Sequence, residues 1–262
     1  MNAQMLNKLE KELEFFENLE NPVQVAWHKI LSDNGISAKS FWHEFGAICA
    51  AHPWFKEVKN PYHNGVHTAQ VMWSGNILVQ AADLEDKEIW LPKFILALMF
   101  HDINHNGKSN AFPYQLEIIA GDIFETYLLE EKRLKILWDE SSKIEDGNLN
   151  ELVSFVKRII LGTEVHTDVP KNIEDYENSN APSLLQTLLV LAQEADVLPS
   201  ALPNVGRKNG ELLAAEWNNP LLASHKGRLG FLNMIKYSSV SAHSLEIPQM
   251  INLQKEYLEK HI

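Results

Sequence analysis

Glu88-Ile89-Trp90-Leu91-Pro92-Lys93-Phe94-Ile95-Leu96-Ala97-Leu98-Met99-Phe100-His101-Asp102 decides the fold. Residues 88–100 are apolar nearly all round, too long a run for an ordinary strand and without period-2 alternation. A helix with no polar face belongs in the middle of a bundle. His101 and Asp102 therefore emerge at the end of a central, rigid element, a good place for a site.

Outward from this segment the pattern stays helical. Charged, periodic residues over 6–19 predict a surface helix, and 22–33 and 38–50 predict two more, the second capped by Ser37. Val71, Met72, Ile77 and Leu78 mark a buried helix from His67 to about residue 82. Helices are expected at 113–139, 150–162, 183–197, 211–217, 224–238 and 246–260. The Asp-, Asn- and Pro-rich stretch 165–182 reads as a loop, and so does 199–210 with Pro199, Pro203, Gly206 and Gly210. Runs of β-branched residues are scarce, and no repeat or linker divides the chain. The expectation is one all-α domain over residues 1–262.

Bulk properties narrow the function classes. The net charge of −12 lacks the basic footprint of a nucleic-acid binder, so no nucleic-acid polymer is expected as partner. Bound dications would reverse the local sign and admit a small anionic substrate. The single cysteine, Cys49, excludes an intramolecular disulfide framework and agrees with a reducing, cytoplasmic setting. No signal core or membrane-spanning stretch is read, so no membrane partner is expected. The acidic N-terminal helix is expected to cover the domain or to contact a second copy in a homodimer.

The chemistry lies in two short segments, Asn60-Pro61-Tyr62-His63-Asn64-Gly65-Val66-His67 and Phe100-His101-Asp102-Ile103-Asn104-His105-Asn106-Gly107. His63 and His67 stand at i, i+4, as do His101 and His105, so on a helix each pair shares a face. Imidazoles with an adjacent carboxylate suit zinc and also a harder ion. One more carboxylate is needed, and Asp196, near the end of an apolar segment, is the best placed. Each of these residues alone has an ordinary reading as a core or surface group. The joint pattern points to a metal site.

Asn60-Pro61-Tyr62-His63-Asn64-x-x-His67, followed by His101-Asp102-x-x-His105-x-Gly107-x-x-Asn110-x-Phe112, resembles the catalytic domain of class I cyclic-nucleotide phosphodiesterases. These belong to the HD-domain metallophosphohydrolases. The resemblance is strongest over residues 45–235. It implies a compact multi-helix domain with a binuclear metal cleft and a small-molecule nucleotide as substrate. It also implies His67, His101, Asp102 and Asp196 as ligands of a first metal, usually zinc. Asp102 would bridge to a second ion, usually Mg²⁺ or Mn²⁺. His63 matches the general acid, and His105 a histidine facing the second metal's waters and the phosphate. Asn110 matches a motif residue close to the site, and Thr163-Glu164 stands where the family has Thr-Asp near the second metal's water shell, a change that keeps the carboxylate. Tyr62 and Phe231 match substrate-binding positions, Phe231 as the aromatic that stacks on the base.

The implied reaction is hydrolysis of the 3′ phosphoester of cAMP or cGMP by a hydroxide bridging two metals. Arg228 stands where the family has a glutamine, and it offers donors only, toward a guanine edge or a phosphate, or else a salt bridge pointing outward. Leu116-Glu117-Ile118-Ile119-Ala120 lacks the family's paired histidines. These departures keep two alternatives open: a phosphohydrolase of the same fold acting on another nucleotide or phosphoester, and a nucleotide-binding protein without turnover. Trp54, Trp73, Trp90, Trp138 and Trp217 are expected in the core, and His166 and Asp168 in a solvated loop. Gly206-Arg207-Lys208-Asn209-Gly210 is expected to be a solvated basic loop.

Overall fold

The computed structural model describes residues 3–141, 148–165 and 171–262. His166 and Asp168 lie outside the described residues. Among those described, every regular element is a helix. In chain order these are α1 (Ala3–Glu14), α2 (Pro22–Asp33), α3 (Phe41–Ala50), α4 (Trp54–Glu57) and α5 (Gly65–Ala81). Then come α6 (Lys87–Phe100), α7 (Gln115–Glu130), α8 (Lys132–Ser141), α9 (Leu149–Leu161) and α10 (Lys171–Glu177). The last five are α11 (Leu184–Ala201), α12 (Pro203–Glu216), α13 (His225–Met234), α14 (Val240–Ser244) and α15 (Ile247–Glu259).

The helix over 88–100 is central, as its composition requires. Residues Phe94 through Phe100 of α6 are fully buried. α5 packs on α11, α2 and α6, and α6 also packs on α9. Gly75 lets α5 approach its neighbours closely. A Cβ there would stand 2.3 Å from Leu98 Cδ1 of α6 and 3.6 Å from Ala195 Cβ of α11. Gly46 does the same for α3, where a Cβ would lie 1.9 Å from the fully buried Trp27 indole.

Several expectations need correction. Ser40, not Ser37, caps α3, accepting from Trp42 N–H. The segment 113–139 is two helices, broken at Glu131, whose backbone is extended. The stretch 165–182 contains α10. The break expected over 199–210 is confined to Leu202. α11 runs through Pro199 to Ala201, and Pro203 opens α12 at its first turn, where an absent N–H costs nothing. Gly206 and Gly210 sit inside α12 because Cβ atoms there would meet the carbonyls of Ser200 and Leu222 at 2.2 and 3.2 Å. Trp73, Trp90 and Trp138 are core, but Trp217 is 37% exposed and lines a cleft.

Candidate metal centre and cleft

Three helices bring the first set of donors together. Asn64 caps α5, its Oδ1 accepting from Val66 N–H at 2.9 Å and His67 N–H at 3.3 Å, and so fixes where His67 starts the helix. His101 and Asp102 follow the last residue of α6. Asp196 lies on α11, one turn before its end. His67 Nε2 is 3.2 Å from Asp102 Oδ2 and 3.5 Å from Asp196 Oδ1. His101 Nε2 is 3.1 and 3.2 Å from the same two oxygens.

Four donors bonded to one ion at ~2.0–2.1 Å form a tetrahedron with edges of ~3.3 Å. The observed edges match. The tautomer also fits, because His101 Nδ1 donates to the Leu98 carbonyl at 2.7 Å, turning the Nε2 lone pair toward the carboxylates. His101 Nε2 is buried and makes no hydrogen bond. Burial opposes charge on both imidazoles, yet Asp102 and Asp196 raise the pKa of His67 and raise that of His101 well above the ordinary value. Burial pushes the Asp102 carboxyl up, but His101, His63 and His67 outweigh it and hold it well below its usual range. The pocket thus attracts positive charge, which a divalent cation satisfies better than protons.

A second set of donors, His63, Asp102 and His105, shares Asp102 with the first. Within each set the donor atoms lie within 4.8 Å of one another. The His63 and His105 rings stack at 3.5 Å between centroids and 17° between planes. His105 Nδ1 accepts from Gly107 N–H at 3.1 Å, so its remaining proton sits on Nε2. Burial lowers the His105 pKa to about 4, leaving the ring neutral beside His63. Asn60 Nδ2 donates to the His105 carbonyl at 2.8 Å and ties the two motifs together.

Sequence reasoning missed Glu216. Its Oε2 accepts from Tyr62 N–H at 2.8 Å and His63 N–H at 3.0 Å. Its Oε1 takes His63 Nδ1–H at 2.5 Å, which leaves Nε2 as the edge of His63 free for the cleft. Burial raises the Glu216 pKa, but His63 and the two backbone donors bring it below the usual value. No local motif marks Glu216; it closes α12, of which only the last turns, 211–217, were expected to be helical.

The other expected residues surround these sets. Asn110 Nδ2 donates to Glu117 Oε2 at 2.9 Å and Glu164 Oε1 at 3.3 Å, bridging two carboxylates. Burial lifts the Glu117 pKa to about 7. Thr163 is buried with its hydroxyl on the Ile160 carbonyl at 2.7 Å, and Gln193 Nε2 holds the Glu164 carbonyl at 2.9 Å. Tyr62 hydrogen-bonds Ser200 Oγ at 2.9 Å and lays its ring against His67. All of these except Gln193 border a cleft of about 780 Å³, together with Phe231, Leu213 and Trp217. Arg228 also borders it, but its guanidinium is anchored elsewhere. Nη2 donates to the Leu202 carbonyl and to Gln254 Oε1, both at 2.6 Å. Gln254 belongs to a different pocket, behind the cleft, so this anchoring does not favour the expected base contact.

No family model matches the chain. Over 127 residues the chain is 30% identical to "cGMP-specific 3′,5′-cyclic phosphodiesterase gamma" of Plasmodium yoelii. That match covers 44% of this chain and 16% of the relative, so the chain spans a small part of that protein. In three dimensions it resembles the phosphodiesterase domain of the RhoPDE fusion protein from the choanoflagellate Salpingoeca rosetta. The TM-score is 0.63 at 18% identity, covering 99% of this chain and 91% of that one. No helix among the described residues is long and apolar enough to cross a membrane. The chain therefore has the all-helical fold of a phosphodiesterase domain, with a His/Asp cluster able to hold divalent metal at its cleft.

Proposed function

We propose that this protein is a metal-dependent 3′,5′-cyclic-nucleotide phosphodiesterase acting as one catalytic domain. One observation carries the reading: two donor sets share the single carboxylate of Asp102, with a histidine–glutamate pair beside them. The set His67, His101, Asp102 and Asp196 suits zinc, and the Asp102 side of the second set, which leaves coordination positions to water, suits Mg²⁺ or Mn²⁺. When bound, two such cations neutralise phosphate oxygens and bring the pKa of a water toward neutrality.

The remaining steps belong to the chain. His63, held through Nδ1 by Glu216, delivers a proton from Nε2 to the departing 3′ oxygen. His105, neutral and stacked on His63, offers its Nε2–H to the phosphate side without adding like charge. Asn110, Thr163 and Glu164 orient the polar end of the cleft. Phe231 supplies a ring for the base, and Tyr62 braces His67. The relatives named phosphodiesterases support this reading.

A second reading, a phosphohydrolase of the same fold acting on another phosphoester, is favoured by Arg228 standing where an amide is expected with its guanidinium turned behind the cleft. The test is metal-loaded protein assayed on cAMP, cGMP and a panel of nucleoside monophosphates and cyclic dinucleotides. Hydrolysis of a cyclic mononucleotide, stopped by chelation and by His63→Ala, is the expected result. Turnover of another phosphoester alone would replace the first reading with the second. Metal and nucleotide binding without any turnover would overturn both.

A further inference from the structure

Behind the cleft lies a second pocket of about 560 Å³, formed by residues of α1, α12, α13, α15 and the turn at 220–223. It and the cleft share Gly206, Gly210, Leu222 and Arg228 in their common wall. In that wall Gly206 leaves room for Arg228 Nη1, which a Cβ would meet at 2.8 Å, and Gly210 for the Leu222 carbonyl.

Arg228 is the informative residue. Both of its hydrogen bonds use Nη2, and both acceptors are neutral. Arginine carries five N–H donors, so among the described residues those on Nη1 and Nε remain uncommitted. It has no ion pair. The nearby buried Glu10 spends both oxygens on the N–H and side-chain amide of Asn204. Arg207, also on the pocket wall, is paired with Glu211 at 2.6 Å. The charged lining is thus two guanidiniums against one carboxylate. A half-buried guanidinium with free donors is a natural partner for a phosphoryl group. Across the pocket, Tyr257 is 56% exposed, with His261 stacked on one face of its ring at 4.2 Å between centroids and His225 beside it at 6.4 Å. Leu253 and Met250 add an apolar floor.

We infer that this rear pocket is a second binding site, for a nucleoside monophosphate whose phosphate meets Arg228 and Arg207 and whose base stacks on the face of Tyr257 that His261 leaves open. Its ligand would touch the back of the cleft wall. The inference rests on the pocket alone and does not require turnover in the cleft.

The experiment is calorimetric titration of the metal-loaded protein with 5′-GMP, and with inorganic phosphate as competitor. Arg207→Gln and Tyr257→Ala alter only the rear pocket, and Phe231→Ala alters only the cleft. The expected result is a second site that each rear variant weakens at least ~10-fold and that Phe231→Ala leaves unchanged, since losing a charge-assisted bond or a stacking ring is worth about one such factor. Phosphate should compete for that site. Arg207 and Tyr257 are exposed, and unchanged melting of the variants confirms folding. A single site lost in Phe231→Ala, or a second site indifferent to both rear variants, would overturn the inference.

Discussion

Glu216→Gln separates proton delivery from metal binding. The substitution keeps the shape of the side chain and lets its amide oxygen continue to accept from Tyr62 and His63 N–H, now bonded at 2.8 and 3.0 Å. The amide NH₂ then faces His63 Nδ1, where Oε1 now accepts at 2.5 Å. An imidazolium needs an acceptor at that nitrogen, so the acid form of His63 loses a charge-assisted bond. Such bonds contribute ~1.5–3 kcal/mol. At ~1.4 kcal/mol per factor of ten, kcat for a cyclic nucleotide should fall about 10- to 150-fold. The whole contribution of a general acid, ~10²–10⁴, sets the ceiling and should appear in His63→Ala. The assay compares cGMP with a nitrophenyl phosphodiester, whose leaving group needs no proton. Metal content, measured alongside, should be unchanged. The nitrophenyl ester should be cleaved by the variant at nearly the wild-type rate. An equal loss on both substrates would refute the reasoning, because the damage would then lie in the metals or the fold. So would a cGMP rate within a factor of two of wild type.

Other outcomes follow from the same geometry. Chelation should lower the melting temperature by ~5–10 °C, because a ligand at a hundred times its Kd stabilises by ~2.7 kcal/mol and each kcal/mol shifts Tm by ~2–4 °C at this size. Asp196→Asn should abolish that shift, checked by metal analysis and differential scanning fluorimetry. Gly46→Ala places a methyl against the Trp27 indole and should cost about 1–3 kcal/mol in urea unfolding despite better helix propensity. His28 Nδ1 lies 3.2 Å from His43 Nδ1, and burial, then the charge of His43, lowers the His28 pKa. A depressed folded pKa makes the stabilisation complete above about pH 6.5 and loses it as pH falls further. Between pH 7.5 and 5.5 the measured stability of His43→Asn relative to wild type should therefore rise as pH falls, modestly because His28 is partly solvated and burial, the larger cause, remains.

How far the sequence was legible depends on how local each signal is. The run 88–100 specified a buried helix by itself, and α2, α6 and α9 fall within a residue of expectation. The cluster of candidate metal donors was legible because His67, His101 and Asp102 sit in short motifs at helix ends. Proline and glycine misled at 199–210. Pro203 starts a helix there, and Gly206 and Gly210 admit carbonyls from a neighbouring segment, which is a tertiary fact. Glu216 was invisible for a related reason: its partners are 153 and 154 residues away. Arg228 was readable as a donor, but the direction of its guanidinium is set by Leu202 and Gln254, which no local pattern announces.

Gly75 never touches the donors, yet it fits between the two helices that carry most of them. Its missing Cβ accommodates Leu98, whose carbonyl steers His101, and Ala195, the residue before Asp196. A side chain at this position would wedge α6 away from α11 and stretch the donor tetrahedron from within the hydrophobic interior. A change there would weaken the proposed metal affinity without touching a single donor, with its cause in the packing of the core.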